Sequence, residues 1–367
     1  MKEFIKRHEL FFFILGVVVI CLIFWYFSLV IGYIFLSAII AIIGRPLVEV
    51  LDRVKIGRFH LPHVLNVTVT LLLILALCVG FLAISIPLIV QEVTLISQID
   101  ITAILEHYQE YIDAGQSLMA QTGILEPNQS LEAFIEQKVE SLISLATFST
   151  LISNALKFTG EFLFGLFTVV FLAFYFLADK KLLPGAILGM VPEKYQEQTK
   201  NVLRESKVLL SRYFIGLVLD VLFMMVGYTI GLMIIGVKSA IVIAIFGGVI
   251  HIIPYLGPWI AAFVGVILGT TTALSTGSYD IVLPIALNII LVFVIVVLIE
   301  NLIIQPLIFG KSVRAHPIEI YLVIVLAGIM GGIIGMIIAV PVYTLLRIIA
   351  KEFFSRFRVV QRITGRL

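Results

Sequence analysis

Charge is scarce in this 367-residue chain: 25 Lys and Arg with 23 Asp and Glu make up 13% of the residues, against 61% apolar side chains. An ordinary soluble domain is about one-quarter charged, so a water-soluble globule of this length has too little polar surface to cover itself, and a soluble enzyme is excluded. Only Cys21 and Cys78 represent cysteine, both inside apolar runs, which leaves them as small packing residues rather than a disulfide framework. A net charge of +2 is too small to direct the chain to nucleic acid. The patterns H-E-x-x-H, G-x-S-x-G and C-x-x-C are missing. Phe309-Gly310-Lys311-Ser312 resembles the end of a phosphate-binding loop, but Gln305 stands where the earlier glycine is required. No catalytic residue, metal ligand set or cofactor site is therefore expected. Without an ATPase of its own, the chain can drive a solute uphill only through an ion gradient.

What the sequence does hold is long apolar runs. They cover residues 10–43, 64–91, 162–178, 239–279, 281–299 and 320–346, and a further run over 213–237 is interrupted by one acid, Asp220. Crossing about 30 Å of hydrocarbon takes roughly 20 helical residues. The first run is too long for one span, and Ser28 and Gly32 near its middle permit a tight turn between two. Lys2, Lys6 and Arg7 ahead of it, with no small-residue cleavage site behind, mark a retained anchor rather than a signal peptide.

Basic residues collect in residues 44–63, in 179–212 and in the tail from Arg347 onward, which places these segments in the cytoplasm. Residues 91–157 hold nine acids against Lys138 and Lys157 and belong outside. There Leu95, Ile99, Ile101, Leu105, Tyr108 and Ile112 recur at roughly helical spacing, so an amphipathic insertion continues from the third span. Its apolar stripe packs either on its own domain or the membrane surface, or between subunits.

Parity constrains the remainder. Five spans bring the chain outside near residues 236–238, yet the basic tail has to finish inside. The apolar arms on either side of Pro254-Tyr-Leu-Gly-Pro258 fit a re-entrant hairpin, residues 281–309 cross inward, and glycine-rich 328–335 bends the last run into a second hairpin. The expected fold is all-α: a polytopic membrane protein of about six full spans plus two re-entrant helical hairpins, about eight transmembrane segments, with an amphipathic extracellular insertion. Its parts are scaffold spans over 1–90, the insertion over 91–157, a fourth span and cytoplasmic amphipathic segment over 158–212, a transport core over 213–350 and a basic cytoplasmic tail over 351–367.

Ionisable groups retained in hydrocarbon cost about 2.5–3.5 kcal/mol each on insertion scales and usually face a partner, a cavity or a pathway. Asp220 is the clearest, with Gly216 and Tyr213 on the same helical face at i−4 and i−7. It either hydrogen-bonds another helix or binds a coupling proton or cation. Glu300, Asn301 and Gln305 form a second cluster ahead of Pro306, with Asn301 and Gln305 sharing a face at i,i+4. His251, before the first hairpin turn, is either a packed donor or a ligand. At the hairpins, Pro254, Tyr255, Gly257 and Pro258, and Gly328, Gly331, Gly332, Gly335 and Pro341, are expected to break the helices and offer backbone donors and carbonyls at membrane depth. Pro306, Gly310, His316 and Pro317 are the hinge or loop positions. Gly227/Gly231 and Gly265/Gly269 have the spacing of close helix contacts.

The ordered set Ile253-Pro-Tyr-Leu-Gly-Pro258, Ile299-Glu-Asn-Leu-Ile-Ile-Gln-Pro306 with Gly310 and Lys311, His316-Pro317, and Gly331-Gly-Ile-Ile-Gly335 leading to Ala339-Val-Pro341 resembles the autoinducer-2 exporter family, the PerM/TqsA-like permeases of bacteria. Leu217 and Ile252 depart from the polar residues common in that family at the matching places. The resemblance implies a multi-pass inner-membrane transporter forming homopentamers, with an elevator-like moving part. It implies export of a quorum-sensing signal in some members and sodium or lithium/proton antiport in others. The partners expected are thus a small polar solute, a monovalent cation and proton, the lipid bilayer and further copies of the chain. A passive oligomeric channel and a membrane scaffold are the competing classes, and broken helices with buried polar groups are needless in a scaffold. A fluorescent reporter fused after Leu367 is expected to fluoresce in the cytoplasm and a phosphatase fused there to be inactive; the opposite pattern reverses the assigned topology.

Overall fold

The computed structural model describes residues 26–53, 62–96, 159–309 and 316–354, with isolated positions 22, 104, 107 and 109. The first expected span, most of the external insertion, Gly310 and the basic tail beyond residue 354 lie outside the described residues. Those described are helical, with no strand among them, and they divide into two compact units. Among the described residues six helices are long and apolar enough to cross a bilayer, or seven spans if a bent pair is counted as one, so the chain is a multi-pass membrane protein.

The first unit, residues 1–76 and 157–196, is built on α1 (Ser28–Arg53), the beginning of α2 (His63–Ile96), α3 (Thr159–Ala178) and α4 (Leu182–Met190). Ala41 and Val48 of α1 pack with Val67 and Leu71 of α2 and Ala173 and Leu177 of α3. Ser37 adds a hydroxyl bond to the Val169 carbonyl at 3.0 Å, joining α1 to α3. Ser28 and Gly32 lie inside α1, so the turn expected at them does not form there. At its other end α1 runs on through Gly44-Arg45-Pro46 to Arg53, although the uncharged run stops at Ile43. Asp52 closes this end by accepting from the Asn66 amide at 2.8 Å and meeting the His63 ring at 3.0 Å. Beyond α3 the chain bends by 90° into α4, whose residues are all at least partly exposed.

The second unit, residues 77–156 and 197–367, contains α5 (Gln196–Ile234), α6 (Ala240–Ile250), α7 (Gly257–Ser275), α8 (Val282–Ile299), α9 (Gln305–Phe309) and α10 (Pro317–Phe354). The 39 residues of α5, at ~1.5 Å per residue, make it nearly twice as long as the hydrocarbon is thick. Its first half accordingly carries the charges, and there Glu205 pairs with Lys351 of α10 at 3.2 Å. Its second half buries Gly216, Asp220, Met224, Tyr228 and Leu232, a single stripe at i+4 spacing.

Helix α8 is the centre of this unit. A Cβ at Gly227 or Gly231 of α5 would come within 2.9 or 2.5 Å of Val296 or Val292, and one at Gly265 within 2.8 Å of Phe293. These glycines let backbones approach to a distance no side chain permits, and dispersion across the contact replaces the missing hydrophobic drive between helices in lipid.

Both expected hairpins are present as chain reversals. In the first, α6 and α7 lie antiparallel, with Ile243 facing Gly265 and Gly247 facing Ala261. The 11 residues of α6 reach only about half-way across hydrocarbon at ~1.5 Å each. The second reversal divides α10 at Gly332, whose φ of 58° and ψ of −144° suit glycine alone. Glu319 and Tyr343 would stand tens of ångströms apart on a straight helix; here the Tyr343 hydroxyl donates to Glu319 at 2.7 Å. Ile324, Ala339 and Val340 pack between the two arms.

One expectation about these turns is corrected. The first turn does not leave its peptide groups open: the N–H groups of His251, Ile252, Ile253, Leu256 and Gly257 all bond to carbonyls within residues 247–254. Proline lacks a donor at 254 and 258 in any case, so the hairpin tip satisfies most of its backbone internally, and unfilled hydrogen-bonding capacity has to be sought in side chains. Gly332→Ala is expected to cost about 1–3 kcal/mol through backbone strain, whereas Gly331→Ala next to it, with ordinary φ and open space around the new methyl, is expected to be neutral or slightly stabilising. Thermal unfolding of the two variants in detergent distinguishes them.

Candidate functional site

Three elements of the second unit deliver ionisable side chains to one point. Asp220 sits midway along α5 on its buried stripe, beside Gly216 one turn earlier. His251 follows the last residue of α6 and enters the first hairpin turn, because that turn folds the chain back over its own arm. Glu300 begins the segment Glu300–Ile304, which is a π-helix between α8 and α9. Pro306 explains the wider turn: its ring lacks an N–H and clashes with the carbonyl four residues earlier, and widening to i→i+5 bonds relieves the conflict, as in the bond from the Gln305 N–H to the Glu300 carbonyl.

The π turn also resets which side chains share a face. With five residues per hydrogen-bonded turn, Gln305 lies over Glu300, and its amide donates to Glu300 Oε1 at 2.5 Å. The i,i+4 pairing expected between Asn301 and Gln305 does not form, and Asn301 is exposed.

His251 Nε2 lies 3.8 Å from Asp220 Oδ2 and 3.8 Å from Glu300 Oε1. One ligand-type atom from each of the three residues falls within 4.8 Å of the others. Glu300 is 1% exposed and Asp220 5%, so water screens neither carboxylate from the other. Three polar atoms here have no hydrogen-bond partner: Asp220 Oδ1, His251 Nδ1 and the hydroxyl of Tyr228. Tyr228 lies two turns beyond Asp220 on the same stripe, is fully buried, stacks on Phe293 at 4.2 Å and is within electrostatic reach of both carboxylates.

Tyr228 is absent from the sequence reading, although the i+4 series from Gly216 through Asp220 and Met224 pointed to it. Glu92, counted among the external acids, is instead buried at the end of α2, where it accepts a hydrogen bond from Ser239 at the foot of the first hairpin.

The remaining expected positions are structural in placement. Gly257 packs against the backbone of Ile250 and His251 where the first turn closes, and Pro258 follows it in the first turn of α7. Tyr255 adopts a positive φ of 64° and sets its ring edge-on to Tyr321, 5.4 Å away, which joins the tip of the first hairpin to the beginning of the first arm of the second. Gly328 and Gly335 lie where the arms of α10 meet, against Met336 and the Ala327 carbonyl, and Gly331 and Gly332 form the exposed turn. Pro341 is buried in the second arm. His316 caps α10, its carbonyl accepting from the Glu319 N–H at 2.9 Å, and Pro317 opens the helix, where a missing N–H costs nothing.

Residues 12–355 match the family described as AI-2E family transporter, and the chain belongs to that family. Among curated relatives it is 29% identical over 337 residues to the Bacillus subtilis protein named "Putative transport protein YueF", covering 87% of this chain and 82% of that one. It is 28% identical to "Putative transport protein YrrI" of the same organism over 51% of this chain and 50% of the relative. A third relative, "Putative transport protein MJ1177" of Methanocaldococcus jannaschii, is 26% identical over 59% of this chain and 60% of its own length.

A buried hydroxyl without a partner lowers stability, so its removal is informative. Tyr228→Phe is expected to leave thermal stability unchanged or raised by up to about 1 kcal/mol, while lowering solute flux in proteoliposomes. A clear loss of stability would mean the hydroxyl is already satisfied within the fold.

Proposed function

We propose that the chain is a secondary transporter whose solute or coupled cation engages the cluster of Asp220, His251, Glu300 and Gln305. The observation that carries this is the meeting of two carboxylates and an imidazole inside an apolar bundle with polar atoms left unpaired. A fold selected for stability alone gains nothing from it, since burying charge costs several kcal/mol per ion even after relaxation. The two hairpins support the reading, because broken helices ending at membrane depth are how transporters bring polar groups to the middle of a bilayer.

The family name favours a small polar metabolite such as autoinducer-2 as the cargo, and in this proposal it is exported by elevator-like alternating access of the part that carries the hairpins. A second reading, sodium or lithium/proton antiport, is supported by the pairing of two acids at one point. In this proposal the protein resides in the bacterial inner membrane with both termini in the cytoplasm and works as a homo-oligomer, a pentamer by family resemblance.

Asp220→Asn keeps the shape of the side chain and removes its charge. It is expected to reduce gradient-driven flux in proteoliposomes at least about tenfold, equivalent to roughly 1.4 kcal/mol of lost coupling, while the protein elutes from gel filtration as the wild type does. Wild-type flux in the variant would remove Asp220 from the transport cycle.

A further inference from the structure

The geometry points to the Asp220–His251–Glu300 cluster as a binding site for one divalent transition-metal cation, of the zinc or manganese class. This rests on the proposed transport reading and names a divalent cation for the same cluster in place of the sodium or lithium of the second reading.

Ligand type decides between cation classes. Sodium, lithium, magnesium and calcium are bound by oxygen, and an imidazole nitrogen contributes little to them. Zinc, iron and manganese accept a mixed set of imidazole and carboxylate. Here the imidazole is not peripheral: His251 Nε2 lies 3.8 Å from a carboxylate oxygen of each acid. Ligands about 2.1 Å from a tetrahedral metal stand roughly 3.4 Å apart, so the two histidine–acid separations have to close by only a few tenths of an ångström, and all three ligand atoms already lie within 4.8 Å of one another.

Charge favours the same answer. Asp220 and Glu300 carry two negative charges when ionised, in a place water does not reach. A monovalent ion would leave one of them uncompensated, whereas a divalent ion neutralises both.

Two further observations fit a ligand rather than a closed polar core. Asp220 Oδ1 is buried and unpartnered although the opposite oxygen faces His251, so the carboxylate has capacity that the fold does not use. Gln305 donates to Glu300 Oε1 from the next π turn and fixes the orientation of that carboxylate, as groups supporting a metal ligand commonly do. The His251 Nδ1 atom, on the side of the ring away from the acids, is also unpartnered.

The test uses the full-length protein purified in detergent, stripped with a chelator and titrated with Co2+, whose visible absorption reports its coordination. One equivalent per chain is expected to bind, to be displaced by Zn2+, and to bind at least about tenfold more weakly in His251→Gln and in Glu300→Gln. His63→Gln, which alters a separate histidine–carboxylate pair, that with Asp52, is expected to leave the titration unchanged. Absence of Co2+ binding by the wild type, or equal weakening by His63→Gln and His251→Gln, overturns the proposal. The wild-type measurement decides even if a variant fails to fold. Solute flux measured on the same preparations separates the two readings: flux without Co2+ binding sinks the metal site and leaves the transporter standing, and Co2+ binding without flux does the reverse.

Discussion

The structure of the second unit is governed by the cost of placing two carboxylates and an imidazole in an apolar bundle. Each charged group removed from water loses several kcal/mol of solvation, and attraction to a neighbour returns that only with good geometry and full hydrogen bonding. Here the geometry is near but incomplete: His251 stands 3.8 Å from each acid, and its own Nδ1 and Asp220 Oδ1 lack partners. Such an arrangement is not a stabilising device. It persists because the surrounding helices hold it through contacts made elsewhere.

Those contacts are mostly between small residues and branched aliphatics. Helix α8 presents Ile289, Val292, Phe293 and Val296 to glycines of α5 and α7, and the close approach brings the Asp220 turn of α5 beside the end of α8 where Glu300 begins. The π turn then rotates Glu300 and Gln305 onto one face, and the first hairpin folds His251 between the acids. Three local irregularities, a π turn forced by Pro306, a reversal at Pro254–Pro258 and a glycine stripe, are thus all needed to build one cluster. The tip of the first hairpin also touches the second, through the ring contact of Tyr255 with Tyr321 near the start of α10.

Much of this was legible in the sequence, because membrane proteins announce their spans through hydropathy and their irregularities through proline and glycine. The two hairpins followed from parity and from Pro254, Pro258 and Gly328–Gly335, and Asp220, His251, Glu300 and Gln305 each stood out as polar groups in apolar surroundings. Their convergence was not legible. Asp220 and Glu300 are 80 positions apart in the chain, and their meeting depends on packing at Gly227 and Gly231 whose partners no linear pattern names. Asn301 was placed on the wrong face because helical spacing was taken as 3.6 residues per turn where Pro306 imposes a wider one. Open backbone groups at the first turn were expected because a proline pair interrupts regular bonding; the tight turn at Tyr255 restores most of those bonds locally.

The account's central claim is that the cluster engages a mobile charge during transport. Solid-supported-membrane electrophysiology on reconstituted protein tests this most directly, since it records charge movement on binding without requiring the full cargo to be known. A transient current on a rapid cation jump is expected, and it is expected to disappear when Asp220 and Glu300 are both replaced by amides. A current of the same size in the doubly neutralised protein would contradict it.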